Sequence, residues 1–197
     1  SSGTTGLAVL MTTPMLLFFG FFTMLALTQG GMQSFLVAAL VSLHDTPVSA
    51  ATTALSVYLF ASAAGTLLGG DISDRIERHD LLAGGIFVLS AMICLCLAWF
   101  RLHTAVLVLA MAAMGIAQGI TRPARDLMLR AATPHGATGR VFGFASTGIA
   151  VGAGLAPIPF GWLVDIGRPA WVFYLLTAFM VLALATVMTP QVSSGRG

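Results

Sequence analysis

The sequence predicts an all-α membrane protein with six transmembrane helices. Three observations predict it. Six long apolar stretches fill the chain, none of them contains Asp, Glu, Lys, Arg or His, and the few charges lie between them. Hydrophobic residues make up 57% of the 197 residues and charged residues only 8%, where a soluble domain carries about 25% charge. A bilayer offers no water to backbone N–H and C=O groups, so each stretch must satisfy its own amides as a helix.

The first stretch, Pro14–Leu43, exceeds the length needed to cross a hydrocarbon core of about 30 Å, so it must tilt, bend or protrude. Gly30-Gly31 inside it permits either a kink or a close helix contact. His44-Asp45-Thr46-Pro47 reads as a turn, with Asp45 or Thr46 as N-cap of the next helix and Pro47 in its first turn. The second span is Ser49–Gly70 and the third Leu81–Phe100. The fourth is Thr104–Thr121, its helix continuing to about residue 130. The fifth is Val141–Val164 and the sixth Ala170–Met188. Short connectors predict that consecutive helices lie antiparallel and side by side. The third and sixth spans are bulky and nearly featureless, which reads as lipid-facing. Gly148 and Gly152 form a G-x-x-x-G pair in the fifth span, and Gly65 and Gly69 form another in the second. Such pairs let helix backbones approach closely in lipid. Cys94 and Cys96 stand at i, i+2 and point to different faces, which suits neither a shared metal nor a disulfide.

Residues 1–12 read as linker or the end of a preceding loop, and residues 13–197 as the six-helix unit. Residue 1 is Ser rather than Met, which points to a fragment, a processed product or a trimmed domain.

All nine basic residues are Arg. Arg75, Arg78, Arg122, Arg125, Arg130 and Arg140 flank the second and fourth connectors, and Arg196 lies in the tail. Only Arg101 and Arg168 lie on the opposite side. The positive-inside rule therefore predicts that both termini are cytoplasmic. Trp99, Trp162 and Trp171 fall at span ends on the other side, as an outer aromatic belt requires. The second span ends Gly70-x-x-x-Asp74 and the fifth ends Gly161-x-x-x-Asp165. Three spans separate these echoes, which suggests a 3+3 inverted repeat, a transporter signature.

Polar side chains within the spans are the candidate substrate contacts. Thr28, Gln29, Gln33 and Ser34 cluster in the first span, and Gln118 lies deep in the fourth. Tyr58 and Ser56 in the second span are weaker candidates. A glutamine in hydrocarbon needs partners for its donors and its acceptor, supplied either by another helix or by a substrate. Arg122, Arg125, Asp126 and Arg130 extend the fourth helix past Pro123. Arg122 and Asp126, at i, i+4, are spaced to pair. This set reads either as an interfacial anchor or as a gate. Without ionisable residues near span centres, neutral or amphiphilic substrates are favoured.

The second connector, Gly69–Asp80 (GGDISDRIERHD), resembles the signature loop of the major facilitator superfamily. That pattern is Gly, three residues, Asp-Arg, one residue, Gly-Arg, then a basic residue. Gly70, Asp74, Arg75 and Arg78 match, while Glu77 replaces a glycine and His79 a basic residue. The fifth span is similar to a degraded glycine-proline motif of the same family: Gly143, Gly152, Ala156-Pro157 and Phe160-Gly161, with Ala156 and Phe160 standing where that motif has glycine. The fourth connector, Arg122–Phe144, is similar to that of bacterial permeases and of drug and metabolite exporters. The resemblance implies the C-terminal six-helix half of a twelve-helix carrier in the bacterial inner membrane. It further implies rocker-switch alternating access to a site between two halves. On this reading the first and fourth spans line the cavity. Gly70, Asp74, Arg75 and Arg78, with Arg122, Arg125 and Asp126, form a cytoplasmic gate, and Asp74 should look unpaired without the other half. Gly148, Gly152, Pro157 and Gly161 pack the fifth span. The expected partners are a small-molecule substrate, the lipid bilayer and the N-terminal six-helix half, with no nucleic acid, cofactor or metal.

Other functions fit less well. The four histidines all lie in connectors, and Ser146 lacks the spacing of a nucleophile elbow. No phosphate-binding loop is present, which argues against direct ATP use. A non-transporting scaffold or receptor on the same bundle is the alternative.

Overall fold

Backbone amides with no access to water close their bonds locally, and the described chain is helical almost throughout. The computed structural model describes residues 12–75, 79–131, 133 and 138–187. Its helices are α1 (Thr13–His44), α2 (Val48–Arg75), α3 (His79–Trp99), α4 (Thr104–Ala131), α5 (Thr138–Leu155), α6 (Pro157–Asp165) and α7 (Ala170–Val187). Five segments are long and apolar enough to cross a membrane: Met15–His44, Val48–Gly70, Leu81–Trp99, Thr104–Leu127 and Gly139–Asp165. Ala170–Thr186 is a shorter apolar helix.

Helix ends depart from the sequence reading in three places. Asp45 does not cap α2. It is the left-handed C-cap of α1 (φ 50°, ψ 34°), and its N–H donates to the Val41 carbonyl at 3.1 Å. Aspartate tolerates this conformation better than most residues with a Cβ. Pro47 lies just ahead of α2, and its carbonyl accepts from the Ala51 N–H at 3.0 Å. Second, α2 runs past Gly70 to Arg75, so most of the signature segment is helix rather than loop. Third, the fifth span is two helices. Pro157 has no N–H to donate and starts α6, while Ala156 keeps helical angles (φ −54°, ψ −44°) and still donates to Gly152 at 3.0 Å.

The short connectors predicted only some of the neighbours: consecutive α3 and α4 pack together, as do α1 and α2, while the most extensive contacts join helices apart in sequence. α2 packs chiefly on α4, and α1 chiefly on α5 and α7, while α3 packs on α7 and α4. Among the described residues α2 and α3 barely touch, and neither do α4 and α5. The reason lies in the glycines. Gly65 and Gly69 of α2 face the Ile116 and Ile120 backbone of α4, and Gly115 and Gly119 of α4 face the Tyr58 and Ser62 carbonyls of α2. Gly148 and Gly152 of α5 likewise sit on Phe19 and Thr23 of α1. Close backbone approach outweighs proximity along the chain because lipid removes the apolar drive for helices to associate.

These contacts carry the inverted repeat. Exchanging α1 with α4, α2 with the fifth span and α3 with α7 maps α2–α4 onto α5–α1, and α1–α7 onto α4–α3. The two G-x-x-x-G pairs read from the sequence occupy equivalent contacts.

Gly30-Gly31 resolves as packing rather than a hinge. α1 is unbroken there, and a Cβ at Gly30 would lie 2.8 Å from that of Ala156, while one at Gly31 would enter the Phe160 ring. The third and sixth spans are not simply lipid-facing. α3 buries Ala83, Phe87, Ala91, Cys94 and Leu97, and α7 buries Val172, Phe173, Leu176, Met180 and Ala183. Each set recurs at helical spacing, giving one covered face that an all-apolar sequence conceals. Cys94 is buried and Cys96 exposed, as their spacing predicted. Trp99, Trp162 and Trp171 are exposed at one end of the bundle. Close to that end, His44 Nε2 lies 2.7 Å from the Leu97 carbonyl and ties α1 to α3.

Candidate functional site

The α2–α4 glycine contact sets the site. Because Gly115 and Gly119 admit the Tyr58 and Ser62 carbonyls of α2, the side chains of Tyr58 and Gln118 come to one level. α1 completes the wall with Leu25, Thr28 and Gln29. Together with Thr121, Arg122 and Arg125 these residues line a recess of about 20 Å³, which is room for one water.

The hydrogen bonds separate committed groups from free ones. Thr28 Oγ1 donates to its own helix at Met24 O (2.9 Å), and Thr121 Oγ1 to Ala117 O (3.2 Å). Both hydroxyl protons are therefore committed to their own helices. Gln118 Nε2 donates to Ser90 Oγ of α3 at 3.3 Å, a long bond that leaves its carbonyl oxygen uncommitted. Gln29, half-buried, and Tyr58, buried, make no side-chain hydrogen bond to any described residue.

The charges divide in the same way. Arg125 Nε lies 2.9 Å from Asp126 Oδ1, and its guanidinium sits 5.0 Å over the Phe22 ring. The expected Arg122–Asp126 pair does not form, because Asp126 turns to its immediate neighbour. Arg122 has neither an ion pair nor a hydrogen bond among the described residues, and it is only partly exposed.

Of the candidates read from the sequence, Thr28, Gln29, Tyr58 and Gln118 come together. Arg122 and Arg125 join them, although the sequence grouped these two with a gate. Gln33 and Ser34, one turn further along α1, are exposed and do not line the recess, and Ser56 is exposed on α2. Gly70, Asp74 and Arg75 end α2, with nothing within 4 Å of a Cβ at Gly70. The side chains of Asp74 and Arg75, and all of Arg78, lie outside the described residues, so the expectation of an unpaired Asp74 does too. Gly161 lies 3.7 Å from the Phe35 ring, measured from its would-be Cβ, and Pro157 opens α6. Sequence reasoning missed Ser90, which nothing in α3 marks. It also missed a third glycine pair, Gly115-x-x-x-Gly119, which is legible as a small-residue pattern.

No curated protein matches the chain. The family model described as Major Facilitator Superfamily matches residues 15–196, nearly the whole length. The all-helical bundle with its repeated glycine contacts agrees with that match. The chain belongs to the major facilitator superfamily, a superfamily of membrane transporters.

Proposed function

We propose that this chain is the C-terminal six-helix half of a secondary active carrier, which moves a small molecule by rocker-switch alternating access. Its substrate site is built on α1, α2 and α4, and the signature segment Gly70–Arg78 acts as a gate on the cytoplasmic side. A bacterial inner-membrane permease or exporter of metabolite or drug type, with both termini cytoplasmic, is the form this reading takes. The observation that carries it is the convergence of Thr28, Gln29, Tyr58 and Gln118, from three helices, on one recess within the membrane-spanning region.

A second feature supports a partner half. Gln33 is exposed on α1 with no hydrogen-bond partner among the described residues. An amide facing hydrocarbon would lose several hydrogen bonds, so this face suits a polar cavity or a second bundle. Of the five membrane-crossing segments, α2 and the fifth span are the least covered, each with 28% of an apolar window buried, and α2 leaves Thr52, Thr53 and Ser56 exposed.

Transport in proteoliposomes against a panel of metabolites and drugs tests the reading, at matched folded amounts. Gln29→Ala should lower flux by about three- to tenfold, the scale of one neutral hydrogen bond, without altering thermal stability. Gln118→Ala should lower both flux and stability, because it also releases Ser90. Asp74→Asn should slow all substrates alike, as a gate does. If the wild-type protein moves no panel member, the scaffold alternative gains instead.

A further inference from the structure

We infer that the molecule recognised at this recess carries an anionic group, a carboxylate or phosphate, and that Arg122 is the residue that binds it. The inference rests on the transport reading above and deepens it. Among the described residues the lining contains two guanidinium groups and no carboxylate. One of the two is already satisfied: Arg125 has Asp126 at 2.9 Å and the Phe22 ring beneath it. Among the described residues Arg122 has neither, so among them it is the one positive charge in the recess without a counter-charge.

The neutral groups around it are mixed. Arg122 offers five N–H donors and no acceptor. The Tyr58 hydroxyl and the Gln29 amide offer both donors and acceptors, while Thr28 and Thr121, their protons turned into their own helices, and the Gln118 carbonyl oxygen offer acceptors. The guanidinium, rather than the neutral groups, therefore sets the preference for an anion, and Tyr58 and Gln29 can add donors to it. A recess with room for one water suits the charged end of a ligand, with the remainder lying toward the open face of the bundle.

The bland account of Arg122 is an interfacial arginine that snorkels to the aqueous phase. Its direction argues otherwise. Side chains in a helix lean toward the N-terminus. The N-terminus of α4, Thr104, is at the opposite end of the bundle, so Arg122 leans back into the membrane. There it shares the recess with Tyr58, which lies only about 15 Å along α2 from the start of that helix at Val48. The Arg122 backbone lies about 27 Å along α4 from Thr104, so a guanidinium turned inward toward Tyr58, with no partner among the described residues, is costly, and a bound anion removes the cost. This replaces the expectation of a neutral substrate, which rested on the absence of charge near span centres.

The test is flux through the whole protein in proteoliposomes, using sets matched in size and differing in charge. Carboxylates and phosphate monoesters are compared with their amides or neutral esters and with the corresponding amines. Wild-type protein should move the anions in preference to their neutral and cationic counterparts. Arg122→Gln should lower anion flux by about ten- to a hundredfold, the scale of a charge-assisted contact, and Arg122→Lys should retain part of it. Arg125→Gln should have a smaller effect. Flux of only neutral or cationic compounds, or anion flux unchanged in Arg122→Gln, overturns the inference while leaving transport intact. No flux of any class sinks the transport reading, and the inference with it. A lipid phosphate is the other source of the same chemistry, so the assays run in phosphatidylcholine with and without phosphatidylglycerol, with native mass spectrometry of retained lipid. If Arg122→Gln loses bound phosphatidylglycerol but keeps the solute charge preference, Arg122 is a lipid contact and the inference fails.

Discussion

Gly119→Val is expected to separate α2 from α4 and to cost the most of any single substitution in the bundle. A Cβ at this position would collide with the Ser62 carbonyl and lie 2.8 Å from the Thr66 nitrogen and 2.9 Å from the Gly65 carbonyl carbon. All three are backbone atoms, which cannot rotate aside as a side-chain tip can. Overpacking in well-filled interiors costs about 1–3 kcal/mol, and a backbone collision belongs at the upper end of that range. The measurement is the thermal unfolding midpoint of purified protein in detergent, with Gly154→Val as control. Gly154 has nothing within 4 Å of its would-be Cβ, so its variant should shift the midpoint little. Equal midpoints for the two variants would mean that α2 and α4 do not approach as closely as described. Because the same contact sets Tyr58 beside Gln118, a Gly119→Val protein that still folds should transport poorly.

The second large effect is at Phe160, and it should be coupled to Gly31. Phe160 is fully buried, stacked on Phe35 (centroids 6.0 Å, 22° between planes) and edge-on to Phe179 (6.0 Å, 71°). It occupies the space that the missing side chain of Gly31 leaves. Phe→Ala in a soluble core costs about 3–5 kcal/mol. In a bilayer the transfer part of that cost is reduced, because lipid is as apolar as the protein interior. Phe160→Ala should therefore destabilise by less than the soluble figure. Gly31→Ala alone should cost about 1–3 kcal/mol, because its methyl meets the ring. In the Phe160→Ala background the same methyl has room, and alanine gains up to about 1 kcal/mol in helix propensity over glycine. The double variant should then be no less stable than Phe160→Ala alone. Additive losses would show that Gly31 and Phe160 do not share this space.

Pro157 and Phe160 show how sequence and structure divide the information here. The proline lacks an amide proton whatever surrounds it, so the break at Pro157 has a local cause, although the apolar run Val141–Val164 reads as one span. Nothing local to Phe160 says that its ring fills a gap in α1. That contact joins residues far apart in the chain, and in an all-apolar helix no polarity pattern reveals which face is covered. The same limit explains α3 and α7, whose buried stripes are invisible against equally apolar lipid-facing residues. It also explains Asp45, where one turn residue can serve the helix before it or the helix after it.

The site divides along the same line. Gln29 and Gln118 stood out because an amide is conspicuous in hydrocarbon, and their helices were known from span counting. Arg122 stood out only as a charge at a helix end, and its sequence spacing suggested Asp126 as partner. The geometry gives Asp126 to Arg125 and leaves Arg122 in the recess. Ser90, the partner of Gln118, had no signal at all.

The sequence by itself determined the membrane class, the six apolar stretches, the family resemblance and two of the three glycine pairs. Each of these follows from local physics: backbone amides without water, charges excluded from hydrocarbon, and residues without a Cβ. Only the tertiary structure decided which helices those glycines join and which polar groups meet. It also decided which of the two recess arginines pairs with Asp126. Those depend on distances between segments remote in the chain, where packing in lipid follows shape rather than polarity.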